Sequence, residues 1–105
     1  MNMTKKKEPT LPTHPGELLK EELETRMMTQ TTFSDLLGIS YGVMKEILYG
    51  NRPMTCDIAL LVEAAWGIDS ELLVSMQGRY NLAQARLNPD IGKQMRSVRR
   101  VFQNT

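Results

Sequence analysis

Residues 30–50 read QTTFSDLLGISYGVMKEILYG, and the spacing within this stretch decides the fold. Two short runs of helical periodicity flank a glycine. The first, opened by Thr29 as N-cap, carries Phe33, Leu36 and Leu37; the second, capped by Ser40, carries Met44, Ile47 and Leu48. Two helices that cross steeply need a small residue where they approach, which Ser34 supplies. Their turn needs a residue tolerant of left-handed geometry, which Gly38 supplies. Phe33, Leu37, Ile39, Met44 and Ile47 then fall where apolar contacts would lock the pair. The spacing predicts a helix-turn-helix, with Tyr41, Gly42, Lys45, Glu46 and Tyr49 on the outer face of its second helix.

Towards the N-terminus, a first helix starts at His14 (N-cap), Pro15 (N1) and Glu17 (N3), a carboxylate near the positive helix end. Leu18, Leu19, Leu23 and Met27 form its apolar stripe, opposite Lys20, Glu21, Glu22 and Glu24. Towards the C-terminus, Tyr49 to Pro53 break the chain. Thr55 then caps a fourth helix with Ile58, Leu61, Val62 and Ala65 inward, closed by Gly67. Asp69 caps a fifth with Leu72, Leu73 and Met76 inward. Beyond Asn88 and Pro89, Ile91, Met95, Val98 and Phe102 mark an amphipathic helix, with Lys93, Arg96, Arg99 and Arg100 mostly on its polar side. No alternating β pattern occurs. The expected fold is all-α: a mobile basic arm over 1–13, a five-helix helix-turn-helix domain over 14–87, and a basic amphipathic C-terminal helix over 88–105.

Composition bounds the function. A chain of 105 residues that is 41% hydrophobic and 24% charged has enough apolar side chains for one soluble domain, which excludes a mainly disordered or fibrous protein. No run approaches the roughly 20 apolar residues of a membrane span. Lys5, Lys6 and Lys7 lead into Glu8 and Pro9 rather than an apolar segment, so no secretory signal and a cytoplasmic location are expected. One cysteine, Cys56, allows no internal disulfide, and with the lone His14 it leaves no metal-ligating set. Glycine-rich phosphate loops, nucleophile elbows and paired carboxylates with a supporting base are all missing, so neither catalysis nor a cofactor is expected. The net charge of +1 is unevenly spread: +2 over 1–12, −5 over 13–85 and +4 over 86–105. Nucleic-acid binders usually carry their basic surplus on the folded domain, and here it lies at the two ends.

Four stretches carry a family resemblance. They are His14-Pro15-Gly16-Glu17, Thr29-Gln30, Gly38-Ile39-Ser40, and Tyr49-Gly50-Asn51-Arg52 followed by Met54-Thr55. Over residues 13–85 the sequence resembles the HigA-type antitoxins, a branch of the Cro/repressor-like helix-turn-helix proteins. The resemblance implies a homodimer that binds double-stranded operator DNA and represses its own operon. It also implies neutralisation of a small basic RelE-like toxin that cleaves mRNA.

The candidate DNA contacts are Gln30 and Thr31 at the start of helix two, and Ser40, Tyr41, Gly42, Lys45 and Glu46 on or beside helix three. Asn51 and Arg52 would serve as a phosphate clamp. HigA-type recognition helices usually carry Arg, Ser or Thr in the first turn and a further Arg later; this chain has Tyr41, Gly42, Val43 and Glu46. Glu46 either accepts from a cytosine amine or repels phosphate. Two alternatives stand beside the autorepressing antitoxin: a toxin- or protein-binding module with weak DNA binding, and a repressor with no toxin. The acidic face with Glu21, Glu22, Glu24 and Glu63 is where a basic toxin would be expected to dock.

Overall fold

Each of the first five helices begins on the side chain expected to cap it. His14 Nδ1 accepts from the Gly16 N–H at 2.9 Å, Thr29 Oγ1 from Thr32 at 3.1 Å and Ser40 Oγ from Val43 at 3.2 Å. Thr55 Oγ1 accepts from Ile58 at 3.3 Å and Asp69 Oδ1 from Glu71 at 2.9 Å. These bonds satisfy amides that have no partner inside the helix. The resulting elements are α1 (Pro15–Thr25), α2 (Gln30–Leu37), α3 (Tyr41–Leu48), α4 (Cys56–Trp66), α5 (Ser70–Arg86) and α6 (Pro89–Gln103). The structure, a computed structural model, describes residues 12–103, among which there is no strand. The Lys5–Lys7 arm lies outside the described residues. No helix among those described is long and apolar enough to cross a membrane.

The core is small and built around the α2–α3 corner. Leu19, Phe33, Met44, Ile47, Val62 and Leu73 are fully buried, with Leu23, Leu48, Met54 and Ala59 completing the cluster. Phe33 stacks on Trp66 with ring centres 4.0 Å apart, and the Arg26 guanidinium lies over the Trp66 ring at 4.9 Å. Gly38 and Gly67 take the left-handed conformation that ends α2 and α4.

Several apolar side chains face differently from their expected direction. Leu36 is 64% exposed, and Leu61, Ala65 and Leu72 are also exposed. On α4 the buried row is Ala59 and Val62, three residues apart on one helix face. On α5 it is Leu73 and Gln77. Gln77 is buried because its side chain is satisfied: its oxygen accepts from the Met54 N–H at 2.8 Å, and its amide donates to Asn81 at 2.9 Å. Met27 is not part of the α1 stripe. It is 92% exposed with φ 53°, in a left-handed turn closed by Met28 N–H to Leu23 O at 2.9 Å and Met27 N–H to Glu24 O at 3.1 Å. That is a Schellman closure completed without a glycine.

Helix α6 packs against α5 and buries none of its residues. Ile91 is half-buried, and Met95 and Val98 are exposed.

Candidate nucleic-acid interface

A backbone-on-backbone contact sets the position of α3. A Cβ on Gly16 would sit against the Ile47 carbonyl oxygen far inside van der Waals distance, so only glycine lets α1 begin there. With Met44, Ile47 and Leu48 turned into the core, the opposite face of α3 is open. Tyr41 is 52% and Tyr49 59% exposed, and Gly42, Lys45 and Glu46 are exposed beside them. A Cβ at Gly42 would meet nothing within 4 Å. Gln30, half-buried at the start of α2, donates from Nε2 to the Tyr41 carbonyl at 3.2 Å and so fastens the first turns of α2 and α3 together. Thr31 is exposed next to it, and Ser40 is exposed with its hydroxyl engaged as the α3 cap.

The loop leaving α3 is shaped by Gly50, whose φ of 78° belongs to the left-handed region. Asn51 N–H returns to the Glu46 carbonyl at 2.8 Å and Gly50 N–H to Ile47 at 3.1 Å. This curl brings Arg52 back alongside α3. Its Nε and Nη2 lie 2.7 and 2.6 Å from a single oxygen, Glu46 Oε1. Glu46 is therefore committed to Arg52, and the pair is half exposed.

His14 holds the same loop from behind. It is buried, its Nδ1 accepts from Gly16, and its other nitrogen donates to the backbone carbonyl of Arg52. The ring packs on Gly50 and meets Tyr80 edge-on at 4.9 Å. Burial lowers its pKa below the usual histidine value, against the opposing pull of the Arg52 carbonyl and the Glu17 charge.

Three cations surround α3, and two are already engaged by carboxylates. Lys20 pairs with Glu17 at 3.0 Å and lies 4.6 Å over the Tyr49 ring; Arg52 pairs with Glu46. Lys45 has no ion pair among the described residues. Of the candidates, the structure joins Gln30 to Tyr41 and both Asn51 and Arg52 to Glu46, while Thr31, Ser40, Gly42 and Lys45 are exposed on α2, on α3 or beside it. The sequence reading missed the second role of His14, the approach of Gly16 to Ile47 and the placement of Lys20 over Tyr49. A glycine immediately after the Pro15 start, where a helix former would be favoured, was the one available signal.

No protein-family model matches the chain. It is 33% identical over 73 residues to virulence-associated protein I of Dichelobacter nodosus, an alignment spanning 69% of this chain and 68% of that protein. Among solved structures, an addiction module antidote protein of the HigA family from Coxiella burnetii superposes with a TM-score of 0.72 at 30% identity. That match covers 84% of this chain and 95% of the other. The Pseudomonas aeruginosa antitoxin HigA, solved with the higBA promoter, gives a TM-score of 0.71 at 26% identity, covering 80% and 90%.

Proposed function

The chain belongs to the HigA family of antitoxins, and on that footing we propose that it is a homodimeric, operator-binding autorepressor that neutralises a small basic RelE-like toxin. The observation that carries the DNA half is the open outer face of α3, flanked at one end by Gln30 and Thr31 and at the other by Asn51 and Arg52. A helix of this size fits the major groove, which is about 12 Å wide. Tyr41 and Lys45 reach base edges, while Ser40 and Gly42 let the backbone come close to the duplex. Gln30, Thr31, Asn51 and Arg52 position the protein on phosphates. Glu46 holds Arg52 rather than reading a base. The helix-turn-helix domain spans 14–87, and the site of action is cytoplasmic.

The dimer and toxin surfaces lie elsewhere. Helix α6 is the appended element, and its exposed Met95 and Val98, with the exposed Leu82 and Leu87 at the end of α5, supply apolar area for a twofold seam. Such a dimer sets two α3 helices about 34 Å apart, matching successive major grooves. The acidic face of α1, with Glu21, Glu22 and Glu24, receives the basic toxin. Pairing of Arg52 with Glu46 and of Lys20 with Glu17 supports one second reading: a toxin-binding module with weak DNA affinity.

A gel-shift titration with the DNA upstream of the chain's own operon, against a scrambled duplex at one salt concentration, tests the proposal. Preferential retardation of the upstream fragment is expected. Equal, weak retardation of both, with tight toxin binding, would replace the repressor by the second reading.

A further inference from the structure

His14 touches three separate parts of the fold. At the start of α1 its Nδ1 accepts from Gly16; on the loop after α3 its second nitrogen donates to Arg52 O and its ring covers Gly50; on α5 it meets the edge of Tyr80. One neutral tautomer, with Nδ1 bare and Nε2 protonated, makes both hydrogen bonds. An imidazolium cannot. Its new N–H at Nδ1 would face the Gly16 N–H across 2.9 Å, so the cap or the ring position must give way.

Among the described residues, the carboxylate that favours the imidazolium is Glu17, and it makes no hydrogen bond to the ring. Glu17 on α1 is paired with Lys20; Tyr80 on α5 already accepts from Gln84 at its hydroxyl; and the Arg52 side chain is turned to Glu46. Displacing the ring removes the hydrogen bond that holds the Arg52 backbone. It also removes the surface on which Gly50 rests. Resting on the operator-binding reading above, we propose that His14 is a positioning residue for the 50–52 phosphate contact, and that its protonation releases this loop and weakens operator binding. The sign is opposite to simple electrostatics, under which an added positive charge strengthens attraction to DNA.

The test compares full-length wild type with His14→Asn. Asparagine is a favoured N-cap whose oxygen accepts from Gly16 and which does not titrate; His14→Gln replaces it if the first variant fails to fold. Fluorescence anisotropy with the operator duplex is read from pH 7.5 to 5.0 at fixed salt, with helical circular dichroism alongside. Wild-type affinity is expected to fall severalfold as His14 takes up its proton, with the helical signal unchanged, while the variant stays flat. Parallel profiles for the two proteins, or wild-type helicity lost in step with affinity, would overturn the proposal. Amide-exchange protection at Gly16 and Asn51 gives a reading independent of DNA. Protection lost in acid only in wild type supports the release, and protection retained in both overturns it, even if neither protein binds the duplex at pH 7.5 and the operator reading itself fails.

Discussion

Glu46→Gln removes one negative charge from the outer face of α3 while keeping the side chain's size. In the wild type, Glu46 Oε1 accepts from both Nε and Nη2 of Arg52, so the two charges cancel beside the expected path of the DNA backbone. The pair is half exposed, and its loss changes folding stability by only about 0.2–1 kcal/mol. The effect on DNA is larger. A carboxylate roughly 6 Å from a phosphate repels it by about 0.7 kcal/mol in water, and by about twice that where half of its surroundings are protein. The substitution is therefore expected to tighten binding about three- to tenfold on operator and scrambled duplexes alike. With Arg52 no longer neutralised, its existing phosphate contact gains one net positive charge, and the slope of log K against log salt should steepen by about 0.9. Anisotropy titrations on both duplexes at several salt concentrations measure both quantities. If the operator alone lost about 1–3 kcal/mol, Glu46 would be reading a base. The assignment of Glu46 to Arg52 would then be refuted.

Four smaller perturbations probe the frame that holds this surface. Gly16→Ala drives a methyl group into the Ile47 carbonyl and should destabilise the protein by roughly 2–4 kcal/mol in urea titrations. Ser34→Ala removes a buried hydroxyl that has no hydrogen-bond partner among the described residues, and should leave stability unchanged or raise it by up to about 1 kcal/mol. Met27→Gly relieves a left-handed backbone at an exposed site, for an expected gain of about 0.5–1 kcal/mol in the same assay. Because burial lowers the pKa of His14 in the folded state, the unfolded chain binds the extra proton first. Stability should therefore fall as pH drops below about 6.5, by about 1.4 kcal/mol per unit of depression, and be unaffected above it. The difference between wild-type and His14→Asn urea midpoints at pH 7.5 and 5.5 isolates that contribution from the carboxylates.

The helices were legible where a cap, a periodic stripe and a terminating glycine agreed, as at Thr29, Phe33 and Gly38 or Ser40, Met44 and Ile47. Ambiguity entered where apolar residues adjoin. Neighbours on a helix point about 100° apart, so Leu60-Leu61-Val62 and Leu72-Leu73-Val74 do not reveal which member faces inward. The burial of Ala59 with Val62, and of Gln77 on its hydrogen bond to Met54, marks the inward faces. Nothing in the sequence marks the end of α1 at Thr25, because its left-handed closure falls on Met27 rather than on a glycine. At the candidate site, the outward set on α3 followed from its inward set. The links from Glu46 and His14 to Arg52 did not, because they depend on the curl at Gly50 and join residues far apart in sequence or across a loop.

On the proposed reading, the open face of α3, presented twice by a symmetric dimer, grips the operator. Hydroxyl-radical footprinting of the chain's own upstream DNA tests it most directly, with Lys45→Ala as the control. Wild type should protect two patches on one face of the duplex, about 10 base pairs apart centre to centre. The Lys45→Ala protein should protect them more weakly at equal concentration. Protection that is absent at saturating wild-type protein, or that is unchanged in the variant, would contradict it.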